Sequence, residues 1–231
     1  MTIAEYYNLP EGTNAKLRYS SFYDTVNSDF PCPPDMFYAF SQQKERSVLK
    51  PLTINSATNT SYMFAYCNKL TKIYDIEKWN VSNVTTMEYM FNGCTNLKEL
   101  DLSNWNTSKV TNMNSAFSSC NSLKCLSSLR ADSLTIPSYS SPFGSSNNNT
   151  LVDWGGFVNL KSSWNGSYCV DKLTALSHQS LINILNGLYD FVGHSETPTS
   201  SQGKIKFGST HLAKLSEEEK AIATNKGWTL S

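Results

Sequence analysis

The sequence predicts an α/β solenoid, elongated and built of stacked copies of one short unit around a narrow parallel sheet, with short helices and a cap at each end. Three observations predict it. First, Met63-Phe64-Ala65-Tyr66-Cys67 returns as Met90-Phe91-Asn92-Gly93-Cys94 and again as Ala116-Phe117-Ser118-Ser119-Cys120, its phenylalanines 27 and then 26 residues apart. Second, a longer apolar frame repeats with it: Trp79, Val84, Met87, Met90, Leu97 and Leu100 match Trp105, Val110, Met113, Ala116, Leu123 and Leu126. A period of this length marks copies of one supersecondary unit, each too thin to bury its apolar face alone. Third, Ser, Thr and Asn make up 76 of 231 residues, yet 12% of the chain is aromatic. That is too polar for a broad core and too aromatic for disorder. Units that each bury only a strip of side chains reconcile the two.

The elements follow in order. Residues 1–35 read as an N-terminal cap. Pro31, Pro33 and Pro34 exclude regular helix or central strand there, and Tyr6, Tyr7, Tyr19, Phe22, Tyr23 and Phe30 supply rings to cover an open end. The array spans 36–149, with Phe40 and Phe143 marking weaker flanking copies. Within one copy, Leu97-Lys98-Glu99-Leu100-Asp101-Leu102 has the L-x-x-L-x-L spacing of a leucine-rich repeat. Its last three residues alternate in, out, in, as a short strand does. Asn106-Thr107-Ser108 turns the chain. Val110, Met113, Ala116 and Phe117 then recur at the spacing of one helical face, which predicts a short helix. One extra residue between Ile73 and Trp79, relative to Leu100 and Trp105, accounts for the 27 against 26.

Residues 150–231 read as variant repeats and a C-terminal cap. Leu181, Ile184, Leu185 and Leu188 form an amphipathic stripe behind an N-cap at Ser177. Gly193 to Gly203 is a loop, Lys204 to Phe207 a short strand ended by Gly208. Ser216-Glu217-Glu218-Glu219 is a capping box opening a helix that runs to Asn225 or Lys226 and stops at Gly227. Trp228 to Leu230 is read as a last strand.

The phrases Leu100-Asp101-Leu102-Ser103-Asn104-Trp105-Asn106-Thr107-Ser108-Lys109-Val110-Thr111-Asn112-Met113 and Trp79-Asn80-Val81-Ser82-Asn83-Val84-Thr85-Thr86-Met87 resemble the repeat of BspA-like leucine-rich-repeat surface proteins. Lys226-Gly227-Trp228-Thr229 behind its acidic helix is similar to the C-terminal segment of such proteins from gut Bacteroides-type bacteria. The resemblance covers about two-thirds of the chain. It implies surface display and adhesion to host matrix proteins or to other bacteria. Related repeats also resemble segments of phage-encoded structural proteins, so a part in a virion or cell-surface layer is the alternative.

The remaining chemistry is sparse. Nineteen basic residues balance nineteen acidic ones with no basic run, which disfavours nucleic acid or an anionic membrane as partner. No stretch approaches the roughly 18 apolar residues of a spanning helix, so no membrane insertion is expected. The N-terminus lacks a secretory signal. A cell-surface or extracellular location would need an upstream signal that has been removed, and otherwise the location is open. Cys67, Cys94 and Cys120 occupy one slot of successive copies and read as a ladder of buried thiols. Zinc is not expected, since no C-x-x-C occurs. His178, His194 and His211 are scattered and read as surface or capping residues, and neither they nor Cys169 form a catalytic motif. No P-loop or dinucleotide fingerprint occurs. No enzyme and no cofactor are expected. Trp79 and Trp105 are either repeated core positions or an exposed aromatic ladder for a glycan or peptide.

A binding function is therefore expected, with a protein or glycan as ligand. If the sheet face carries it, the outward side chains do so: Tyr74, Asp75 and Glu77 on one copy, and Glu99, Asp101 and Ser103 on the next.

Overall fold

A computed structural model describes residues 39–41, 48–49, 54–136, 141–144, 150–164, 170–200 and 202–231. The expected cap over 1–35, Cys32 and Cys169 lie outside these residues. The described chain is mixed α/β. Its strands are two residues long and pair in parallel: β1 (Val48–Leu49) with β2 (Lys72–Ile73); β3 (Glu99–Leu100) with β4 (Cys125–Leu126) and β4 with β6 (Asp153–Trp154); β5 (Leu129–Arg130) with β7 (Phe157–Val158); β8 (Lys204–Ile205) with β9 (Thr229–Leu230). None of these sheets is closed. Partners lie about one repeat apart in sequence, and the isolated parallel bridges Asn59–Thr86–Asn112 add a second line of contact between the same copies.

The repeated phrase builds the core. The rings of Phe40, Phe64, Phe91, Phe117 and Phe143 form a column with centroid spacings of 5.4, 5.5, 5.9 and 5.8 Å. Each ring fills the gap beside the next, as close-packed interiors require. Trp79 stacks on Trp105 at 6.0 Å. These two indoles are 2% and 4% exposed, so they are core rungs and not an exposed ladder. The Trp105 Nε1–H donates to the Ile76 carbonyl at 2.7 Å. Ile76 belongs to the stretch with the extra residue, which is absorbed by a left-handed Asp75 (φ 57) and a 3-10 turn over Ile76–Lys78.

The cysteine slot is buried and free of disulfides at Cys67, Cys94 and Cys120. These thiols also do more than fill space. Each donates to the carbonyl of the phenylalanine one copy back: Cys67 to Phe40 at 3.0 Å, Cys94 to Phe64 at 3.2 Å and Cys120 to Phe91 at 3.2 Å. Burial pushes the Cys94 thiol well above its usual range and Cys120 up to about 12, which keeps the donated proton in place.

The helix expected over Val110 to Phe117 does not form. This stretch and its equivalents are runs of overlapping turns. In the first, the amides of Met63, Ala65 and Cys67 close turns onto Thr60, Tyr62 and Phe64, while those of Thr60, Tyr62, Phe64 and Tyr66 donate to Thr86, Glu88, Met90 and Asn92 of the next copy. Every second amide thus leaves the chain, where an α-helix would keep it. Left-handed residues interrupt each run: Tyr62 and Tyr66, Tyr89 and Gly93, Ser115 and Ser119. An apolar spacing of three and four is common to turn runs and helices, so the spacing alone does not separate them.

Among the described residues the α-helices lie in the C-terminal part: α1 (His178–Asn186), α2 (Gly208–Leu212) and α3 (Glu217–Asn225). Ser177 caps α1 through Ser180 N–H, and the capping box of Ser216 and Glu219 is complete. Leu181, Ile184, Leu185 and Leu188 are buried. Gly227 takes φ 84 at the stop after α3. No helix among the described residues is long and apolar enough to cross a membrane.

Candidate functional site

The parallel register that builds the core also builds a surface. In β3, β4 and β6 the second residue of each strand is buried (Leu100, Leu126, Trp154) and the first is exposed (Glu99, Cys125, Asp153). The exposed three lie side by side, since Glu99 pairs with Cys125 and Cys125 with Asp153. Parallel strands are spaced about 4.8 Å apart, so the outer carboxylates stand roughly 10 Å from each other. Two residues on, Asp101, Ser127 and Gly155 form a second row. Together the rows floor an open cleft of about 570 Å³.

The far wall is α1, which contributes Ser177, Gln179, Ser180 and Asn183. It also closes the edge of β6. The Trp154 amide donates to Ser180 Oγ at 2.8 Å, the Trp154 carbonyl accepts from Asn183 Nδ2 at 3.1 Å, and Ser180 Oγ donates to the Val152 carbonyl at 2.9 Å. Side chains here satisfy strand groups that a further strand would otherwise pair. At Gly155 a β-carbon would stand against the Ser128 amide nitrogen and 2.8 Å from its α-carbon. Any side chain there would collide with the neighbouring copy.

The cleft is acidic. Glu99, Asp101 and Asp153 line it, and no lysine, arginine or histidine is among its described lining residues. The Ser103 amide donates to Asp101 Oδ1 at 3.0 Å, and the bonds from Ser103 hold the Asp101 carboxyl below its usual range. The Cys125 thiol points to Asp153 Oδ2 at 4.0 Å. No group of three or more described His, Cys, Asp or Glu residues is placed to hold a metal ion. What the cleft offers chemically is hydrogen-bond acceptance and negative charge.

Of the six residues expected on the binding face, Glu99 and Asp101 lie together in the cleft. Ser103 is exposed beyond it and acts on Asp101 through its amide. Tyr74 is 46% exposed with the Lys72 ammonium 5.1 Å from its ring centroid. Asp75 and Glu77 fall in the inserted stretch, where Asp75 pairs with Lys78 at 3.0 Å and Glu77 sits in the 3-10 turn. The one-repeat equivalents of Glu99 and Asp101 are Lys72 and Tyr74, so the insertion takes Asp75 and Glu77 out of the row. Sequence reasoning missed Cys125, Ser127 and Asp153. Their signal was present: the spacing of Leu97 and Leu100 recurs at Leu123 and Leu126 and at Leu151 and Trp154.

The histidines divide. His178 faces Glu219 at 2.8 Å and ties α1 to α3. His194 stacks on Tyr189 at 4.8 Å in an exposed loop. His211, expected at the surface or as a cap, is 1% exposed with neither ring nitrogen hydrogen-bonded. Burial and the nearby Lys214 lower its pKa, against the carbonyls of Val170 and Leu173 and the carboxylate of Asp171.

Compared with known proteins, residues 34–154 match the family model described as Mycoplasma protein of unknown function, DUF285. No curated protein and no solved structure matches the chain. The matched stretch is more than half of the sequence and ends on β6, the last strand of the cleft, so this chain belongs to the DUF285 family.

Proposed function

We propose that this chain is a leucine-rich-repeat solenoid of BspA-like type whose work is non-catalytic recognition of a protein or glycan, with the cleft over β3, β4 and β6 as its binding face. The observation that carries the reading is the in-register row Glu99, Cys125 and Asp153 beside Asp101 and Ser127, standing free over a buried leucine and tryptophan row. A surface assembled from several copies is a common way for stacked repeats to grip an extended partner. On this reading the chain needs no cofactor, and its ligand is host matrix or another bacterial surface.

A plug tests it. Cys125→Trp puts a large ring at an exposed strand position, where aromatics are well tolerated. A glycan and matrix-protein array is probed with the wild type and the variant, each checked for native circular dichroism. Hits that vanish with the variant support the cleft. Hits that persist unchanged reject it, and move the reading towards a structural part of a virion or surface layer.

A further inference from the structure

We infer that the occupant of this cleft is a protein segment presenting a basic side chain, an arginine guanidinium or lysine ammonium set among Glu99, Asp101 and Asp153. The inference rests on the binding reading above and narrows it to one chemistry.

Charge is the first reason. None of these three carboxylates has an ion-pair partner among the described residues; the described ion pairs lie elsewhere, at Asp75–Lys78, Arg130–Asp132, Lys161–Glu196, around Asp171, at His178–Glu219 and at Glu217–Lys220. Lys72, the cation of the equivalent row, lies one copy away and rests on Tyr74. The cleft thus gathers three carboxylates that no cation among the described residues pairs with.

The second reason is the hydrogen bonding on offer. Polar groups of the α1 wall are engaged internally: Gln179 Nε2 donates to Asn183 Oδ1 at 3.0 Å, Asn183 Nδ2 to the Trp154 carbonyl and Ser180 Oγ to the Val152 carbonyl. The floor presents carboxylate oxygens, which only accept, so a ligand that meets them has to bring donors. A guanidinium carries five donors and no acceptor, and its fork fits a carboxylate. A sugar hydroxyl brings an acceptor with every donor and no charge.

The opposing term is the N-terminus of α1, which favours anions. A helix end carries roughly half a positive charge, and one turn already meets the Ser177 cap. Three full negative charges outweigh it. The shape agrees: carboxylates about 10 Å apart across two strand spacings suit a chain running across the strands with a side chain entering the cleft.

The test uses the full chain and three dye-labelled nonapeptides in which glycine alternates with arginine, glutamine or glutamate, together with a neutral labelled oligosaccharide. Anisotropy is read at low and at moderate salt. The arginine peptide is expected to bind, at least tenfold more tightly than the other probes and with affinity falling as salt rises. Replacing all three acids (Glu99→Gln, Asp101→Asn, Asp153→Asn) should weaken it at least tenfold. Neutralising two acids outside the cleft (Glu217→Gln, Glu218→Gln) should leave it within twofold. Equal weakening by both sets, or tighter binding of the glutamine peptide, glutamate peptide or sugar, overturns the inference. Cys125→Trp separates the two levels. If it abolishes binding of a probe that the triple variant still holds, the cleft stands and the cation falls. If it changes nothing, the cleft itself falls.

Discussion

Between Thr60 and Cys120 much of the backbone is satisfied by residues about one repeat away, whereas between Ser177 and Leu230 much of it is satisfied inside capped helices. In the first region every second amide of a turn run crosses to the next copy. In the second, α1 and α3 each open on a serine cap and close their bonds within nine residues. The two regions share one continuous core, which passes from Phe143 to Trp154 and Trp164 through ring contacts of 5.1 and 6.1 Å. The difference teaches where stability is cooperative. A stacked copy cannot lose its rung without disturbing both neighbours, while a helix can lose a cap and remain a helix.

The largest effect should therefore come from the column. Phe91 is 1% exposed and stacks on both Phe64 and Phe117. Phe91→Ala should cost about 3–5 kcal/mol in urea unfolding. A loss no greater than that of an exposed substitution would mean that the copies do not depend on one another.

Next comes the thiol ladder. Cys94→Ala removes the Cys94 donor from the Phe64 carbonyl and leaves that oxygen only the Cys67 amide at 3.1 Å. One hydrogen bond and a small volume are lost, so the expected cost is about 1–2 kcal/mol. A neutral result would reduce the cysteine slot to simple packing.

Both effects were partly legible beforehand, and the reason is periodicity. Phe64, Phe91 and Phe117 announce themselves because identical rungs need identical residues. The row of exposed side chains does not, since solvent imposes no such identity: the equivalent positions are Lys72, Glu99, Cys125 and Asp153. Only the buried residues on either side place them. The turn runs escaped notice because their positive-φ sites hold Tyr62, Tyr66 and Tyr89 as well as Gly93, and a tyrosine carries no sign of a left-handed backbone. In the C-terminal part the caps could be read directly, as at Ser177 and Ser216, because the side chain that caps is itself the signal. His211 could not, since burial of a lone histidine depends on the packing of α2 against the turn at Val170–Lys172.

His211 gives the C-terminal region a histidine-linked pH dependence, and no histidine lies in residues 36–149. Its folded pKa is lowered, by burial first and then by Lys214, with Asp171 acting the other way. The unfolded chain therefore binds the proton more readily. Stability from this group is complete above about 6.5 and is lost as pH falls through the folded value, with a slope of at most about 1.4 kcal/mol per pH unit. Urea midpoints at pH 7.5 and 5.5 check it. His211→Leu should show a smaller difference than the wild type, and an unchanged difference would assign the effect to other groups.

The helix caps come lower. In Ser216→Ala the capping box loses the bond from Glu219 N–H at 3.2 Å, an exposed contact on one helix. About 1 kcal/mol is expected, well below the Phe91 rung. A cost equal to that of Phe91→Ala would erase the distinction between the regions.

The smallest effect runs in the opposite direction and sharpens the comparison most. Tyr66 holds φ 62 and is 51% exposed, so its ring buries little while its backbone sits where a β-carbon is disfavoured by about 1–2 kcal/mol. The equivalent slot one copy on is Gly93, at φ 73. Asparagine tolerates the left-handed region better than tyrosine, so Tyr66→Asn should raise stability by a few tenths of a kcal/mol, the gain being offset by loss of the ring's contact with Gly93. Gly93→Ala should do the reverse, because a β-carbon there would stand 2.9 Å from Tyr66 Cδ1 as well as strain the backbone. Combining the two separates strain from collision: if Tyr66→Asn in the same chain removes only part of the Gly93→Ala penalty, the remainder is the left-handed backbone that each stacked turn run demands.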